Sequence, residues 1–131
     1  MGENCCGRFQ DTVSEHLVRN RSILDAMSKF QEASAHVNRA LAKSVTSCGC
    51  LEIKAGKQSI PKKANLEEMA NYTQTHLEGD MCSTCLENIQ SELGTTLFYL
   101  TAICTLLDLD LEKILQEENN RITALGQYSL T

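Results

Sequence analysis

Residues 84–107 read TCLENIQSELGTTLFYLTAICTLL, and the fold class follows from this stretch. Leu86, Ile89, Leu93, Leu97, Leu100, Cys104 and Leu107 recur at steps of three and four, the spacing that brings side chains onto one face of an α-helix. Phe98 and Ile103 flank that stripe, so the helix is apolar on more than one face. Such a helix belongs at the centre of a bundle or in an interface between chains.

Working outward, the segments on either side are helical too. Downstream, Asp108 or Asp110 caps a helix whose stripe is Leu111, Ile114, Leu115, Ile122 and Leu125. Upstream, Asn65 followed by Glu68 reads as a capping box. It opens a helix to about Leu77 that Gly79 terminates. Residues 48–64 break the helical period. They hold the one proline, Pro61, with Gly49, Gly56 and four lysines (Lys54, Lys57, Lys62, Lys63), and read as a loop with a short extended piece at Leu51-Glu52-Ile53. Before the loop, Ile23, Met27, Phe30, Ser34, Val37, Leu41 and Val45 form another stripe, which Val13, Leu17 and Leu24 extend toward the N-terminus. One long first helix over residues 10–46 is expected, with Asn20 or Ser22 as the place for a break. No run alternates strictly over a strand length. The expected fold is therefore all-α, four main helices in a single domain over residues 1–131, with residues 1–9 and 126–131 flexible.

Composition fits one domain of 131 residues, 42% of them hydrophobic, with room for one core. A net charge of −5 argues against a nucleic-acid binder that works by neutralising phosphates. No apolar run reaches the ~18 residues of a membrane span, and the start lacks the pattern of a signal peptide. The expectation is a cytoplasmic protein with neither membrane nor nucleic acid as partner.

Seven cysteines stand out in such a chain: Cys5, Cys6, Cys48, Cys50, Cys82, Cys85 and Cys104. In a reducing compartment, spaced cysteines point to metal or redox chemistry. Cys48-Gly49-Cys50 and Cys82-Ser83-Thr84-Cys85 form C-x-C and C-x-x-C, with 31 residues between them. Two close pairs suit a four-thiolate zinc site. Chain length permits it. The helix between the pairs is ~15 residues, roughly 22 Å, while the loop before it reaches roughly 50 Å when extended. Cys48, Cys50, Cys82 and Cys85 are thus the expected metal ligands, with a structural zinc as cofactor. The same residues also fit a disulfide, a dithiol switch serving as a thiol redox sensor, or unconnected thiols. Cys104 falls on an apolar stripe and reads as packing. Cys5 and Cys6 follow Met1-Gly2, but the hydroxyl residue of a lipidation signal is missing. His16, His36 and His76 show no ligand spacing, although His76 is a spare candidate near Cys82.

Two acidic segments carry a resemblance. LEEMANYTQTHLEGD, residues 66–80, and SELGTTLFYL, residues 91–100, followed by DLDLEKIL, are similar to the motifs of the MazG-like all-α nucleotide pyrophosphohydrolases. That resemblance implies a four-helix bundle, commonly dimeric. It also implies magnesium held by carboxylates on two helices, and cleavage of a nucleoside triphosphate between the α and β phosphates. Glu68 and Glu92 stand at ligand positions of the family, whereas Asn71 and Thr95 stand where a second Glu and an Asp belong. Magnesium prefers anionic oxygens, so a site with two charges instead of four is degenerate. Asn120 and Arg121 fall where the family places nucleotide-contacting polar residues. The reading is a binding or regulatory protein, a homodimer or higher homo-oligomer with nucleotide as a possible ligand. The alternative is a divergent pyrophosphohydrolase using Glu68, Glu92 and Mg²⁺. Without the resemblance, Glu67 and Glu68 read simply as first-turn acids that favour the helix dipole.

Overall fold

A computed structural model describes residues 5–126. Five α-helices and one two-stranded sheet run through them: α1 (Cys5–His16), α2 (Ile23–Lys43), β1 (Leu51–Ile53), α3 (Leu66–Tyr72), β2 (Leu77–Gly79), α4 (Ser83–Leu106) and α5 (Leu111–Leu125). The mostly helical fold that the periodicity predicts is what forms. The chain groups into two compact units. One holds the described residues of Met1–Asn38 and Gln90–Thr131, the other Arg39–Ile89. The expected fraying of residues 1–4 and 127–131 lies outside the described residues.

In the first unit, the long helix expected over residues 10–46 is two helices. α1 starts at Cys5, inside the stretch expected to be flexible, and ends at His16. Ser22 supplies the break: its Oγ accepts the Leu24 N–H at 3.3 Å and its carbonyl accepts the Ala26 N–H at 3.0 Å. Side-chain capping of this kind competes with a continuous helix. Arg21 donates to the freed Leu17 carbonyl at 2.7 Å. Val13, Leu17 and Ala102 form the buried cluster, with Phe9, Phe98 and Leu106 packed against it. The Gln10 amide ties α1 to the start of α5. It donates to the Leu109 carbonyl at 2.7 Å and accepts the Leu111 N–H at 2.9 Å. Of the two aspartates, Asp110 caps α5, accepting the Glu112 N–H at 3.0 Å. Asp108 instead closes α4, at φ +59°. The Leu109 N–H reaches the Cys104 carbonyl and the Asp108 N–H the Thr105 carbonyl, the paired bonds of a Schellman stop.

Along α4, Ile89, Thr101, Ala102 and Cys104 are buried, while Leu86, Leu93 and Leu97 remain 43%, 46% and 54% exposed. No single described helix is long and apolar enough to cross a membrane; α4 and α5 reach that composition together only across a 106° bend.

In the second unit, a π-helical turn (Ser44–Cys48) continues α2 and β1 follows it. The expected helix from 65 to 77 is shorter. α3 opens at Asn65, whose Oδ1 accepts the Glu68 N–H at 2.8 Å, and closes after seven residues at Tyr72. Gln58 ends it from outside: its amide donates to the Gln74 carbonyl at 2.7 Å and accepts the Gln74 N–H at 3.0 Å. The chain then turns into β2, antiparallel to β1 in the register Leu51–Gly79, Glu52–Glu78, Ile53–Leu77. Gly79 is therefore a strand residue and not a helix stop. It sits at φ +92°, and a Cβ there would lie 2.4 Å from the Cys50 carbonyl oxygen.

Candidate metal centre

The hairpin brings the cysteine pairs together. The π turn closes at Gly49, whose left-handed φ of +80° reverses the chain between Cys48 and Cys50. β1 starts immediately after Cys50, β2 ends at Gly79 against the Cys50 backbone, and three residues later Cys82 precedes α4. The pairing of Leu51 with Gly79 thus sets both pairs at one end of the same two-stranded ladder.

The four Sγ atoms of Cys48, Cys50, Cys82 and Cys85 lie within 4.8 Å of one another. Cys48 Sγ and Cys82 Sγ are 3.7 Å apart. Four sulfurs around zinc at Zn–S ≈ 2.3 Å stand about 3.8 Å apart along each edge of the tetrahedron. The Cys48–Cys82 edge already has that length, and it is far from the ~2.05 Å of a disulfide. Cys48 is exposed and the other three are half-buried. All seven cysteines, Cys5 and Cys6 among them, are free thiols. Among the described residues these four cysteines are the group of three or more His, Cys, Asp or Glu side chains placed to hold a metal ion. His76 is not among them. It occupies a left-handed turn ahead of β2, where its carbonyl accepts the Lys54 N–H at 2.9 Å.

The thiols are electrostatically unequal. The Cys85 backbone N–H at the start of α4, then the Cys85 thiol, favour the Cys82 thiolate and pull Cys82 down to about 7. Cys85 is pushed up to about 12, first by its hydrogen bond with Cys82 and then by burial. For Cys48 the Cys50 backbone N–H acts downward, but bonds with the Cys82 and Cys50 thiols outweigh it and leave the thiol raised. Cys50 Sγ donates to the Ser44 carbonyl at 3.8 Å. Cys104 is 5% exposed, and burial raises its thiol, as suits a packing residue.

The residues singled out for magnesium lie on two helices, α3 and α4. Glu68 lies exposed on α3 in the second unit, and Asn71 is exposed on the same helix. Glu92 lies on α4 in the first unit, its Oε2 3.4 Å from His36 Nδ1. Thr95 is exposed, and its hydroxyl donates to the Ser91 carbonyl at 3.1 Å. Asn120 is exposed on α5, and Arg121 pairs with Glu118 one turn away, which lowers the Glu118 carboxyl. The Glu92–His36 pairing went unread in the sequence, since 55 residues separate two side chains that no motif links. An apolar cleft of about 430 Å³ opens in the second unit, lined by Leu41, Val45, Leu51, Ile53, His76 and Leu77 among others.

Comparison of the chain with family models, curated proteins and solved structures finds no match.

Proposed function

We propose that this chain is a zinc-stapled helical protein of the MazG-like type, with a binding or regulatory role and a degenerate magnesium site. The observation that supports the zinc staple is the Cys48–Cys82 separation of 3.7 Å within a four-sulfur cluster; the MazG-like type rests on the sequence resemblance. Four thiolates select a soft or borderline cation, and zinc fits both the donor set and the tetrahedral edge. The ion would tie the end of the π turn, the hairpin and the start of α4 together. Such a ligand set belongs in a reducing compartment, which favours the cytoplasm.

Metal analysis of protein purified without chelators tests this reading. One zinc per chain is expected, and Cys82→Ser should lose it. Metal-free protein with four reactive thiols would overturn it.

The degenerate reading rests on charge. Glu68 and Glu92 supply two carboxylates, and Glu92 already faces His36. Asn71 and Thr95 add only neutral oxygens. Incubation with mixed nucleoside triphosphates and Mg²⁺ or Mn²⁺ should release no pyrophosphate. Release that Glu92→Gln abolishes would restore the enzyme reading.

A second copy of the chain is the partner that suits α4. Leu86, Leu93 and Leu97 are spaced seven and four residues apart, the seam of a paired helix, and all three face water. Light scattering should give a dimer or higher oligomer, and Leu93→Glu should shift it toward monomer.

A further inference from the structure

Cys48 is the exposed member of the cysteine cluster. The Cys82 sulfur, from the other pair, lies 3.7 Å from its own, and the Cys50 and Cys85 thiols also bear on it. Cys50 is half-buried with its Sγ turned to the Ser44 carbonyl, and Cys85 is half-buried on the first turn of α4. A small oxidant therefore meets Cys48 first, with the Cys82 sulfur 3.7 Å away as the partner from the other pair. Resting on the zinc reading above, we propose that Cys48 and Cys82 are a site of oxidative modification, joined as a disulfide by a hydroperoxide with release of the metal.

Geometry permits the bond. The two sulfurs must close from 3.7 Å to ~2.05 Å, a movement of about 1.7 Å. Gly49, beside Cys48, gives that side of the cluster a backbone that turns without a Cβ. One thiolate sulfur attacks hydrogen peroxide, the O–O bond breaks, and a sulfenic acid forms as hydroxide leaves. The second thiolate attacks that sulfur, the S–O bond breaks, hydroxide leaves and the S–S bond forms. Two electrons pass from the sulfurs to the peroxide, and since zinc-bound thiolates carry no protons, solvent supplies the two that turn both hydroxides into water.

The consequence is selective. Zinc would keep only Cys50 and Cys85, too few ligands for a closed structural site. The new bond still links the residues before β1 to the residues after β2, so the hairpin stays anchored while the metal leaves. Oxidation then changes the metal content without unfolding this unit, and a dithiol reductant reverses it.

The test uses the zinc-loaded full chain, treated with graded hydrogen peroxide. Zinc release is followed with a chromogenic chelator. Free thiols are trapped by alkylation, and disulfide-linked peptides are sequenced by mass spectrometry. The expected result is release of one zinc per chain in step with a Cys48–Cys82 crosslink, undone by dithiothreitol with zinc uptake restored. The circular dichroism of the oxidised chain should stay within about a tenth of its starting value. A dominant Cys82–Cys85 or Cys48–Cys50 crosslink would overturn the proposal. So would oxidation confined to Cys5, Cys6 or Cys104, or zinc retained after the crosslink has formed. Zinc content before treatment is measured separately. Protein that carries no zinc yet forms the Cys48–Cys82 bond would overturn the zinc reading and the metal release while leaving the modification site standing.

Discussion

Gly79 and Thr101 show how single residues carry this fold. At Gly79 a side chain would meet the Cys50 carbonyl 2.4 Å away, at a backbone φ of +92° that L-residues disfavour. Gly79→Ala must therefore push β2 away from the Cys50 backbone just ahead of β1. We expect a loss of about 1–3 kcal/mol in stability. Zinc affinity should fall at least tenfold, measured by competition with a chelator of known strength. Thr101 is a different case. It is fully buried in α4, and its hydroxyl oxygen has no hydrogen-bond partner among the described residues. An unpaired buried hydroxyl costs more than the apolar group of the same shape. Thr101→Val should accordingly hold or raise the melting temperature, by the equivalent of up to ~1 kcal/mol, whereas most core substitutions lower it.

Among the elements, α5 is tied at its start to one side chain from α1. Gln10 acts as a backbone substitute, satisfying the Leu111 N–H that opens α5 and the Leu109 carbonyl ahead of it. Helix starts leave such N–H groups without internal partners. Gln10→Ala should cost about 1–2 kcal/mol. Hydrogen exchange should accelerate in the first turn of α5 more than in α3. The stripes of α2, α4 and α5 were legible because a period of three and four survives in any context. The cap at Asn65 and the extended piece at Leu51–Ile53 were legible from local chemistry. The elements that escaped depend on distant partners. β2 exists because β1, 24 residues earlier, offers it a ladder, and α3 stops at Tyr72 because Gln58 occupies Gln74. Nothing local in residues 73–79 announces either. Gly79 itself misleads, since helix stops and tight strand contacts both select glycine. The grouping of the four cysteines was legible from spacing, but the edge at which the pairs meet required the hairpin register.

For the molecule as a whole, if the proposed zinc is bound, removing it should matter most in the unit that holds the cysteines. A strong chelator is expected to lower the melting temperature and to expose the 39–89 segment to protease, with α1 and α5 less affected. Acid acts in the same direction. Zinc binds thiolates and so displaces protons, which makes affinity fall as pH falls. Cys85 stays protonated up to about 12 in the metal-free protein, so its proton must be displaced at every practical pH. Cys82, at about 7, gives up a proton to the metal only below that value. A plot of log affinity against pH should therefore steepen by about one proton below pH 7. Titration of zinc against a chelator at several pH values measures that slope, and a slope unchanged across pH 7 would argue against Cys82 as a ligand.

The exposed loop between β1 and α3 has a topological consequence. Lys57, Lys62 and Lys63 sit in it, accessible from solvent. A protease cut there would separate the chain into two fragments, one carrying Cys48 and Cys50, the other Cys82 and Cys85. Neither fragment owns a complete set of donors. Zinc would then act as a heterodimeriser, and the affinity of the two pieces for each other would become a function of metal concentration. A nicked chain that comes apart on chelation and reassembles when zinc is returned would turn this coordination site into a readout of strand pairing.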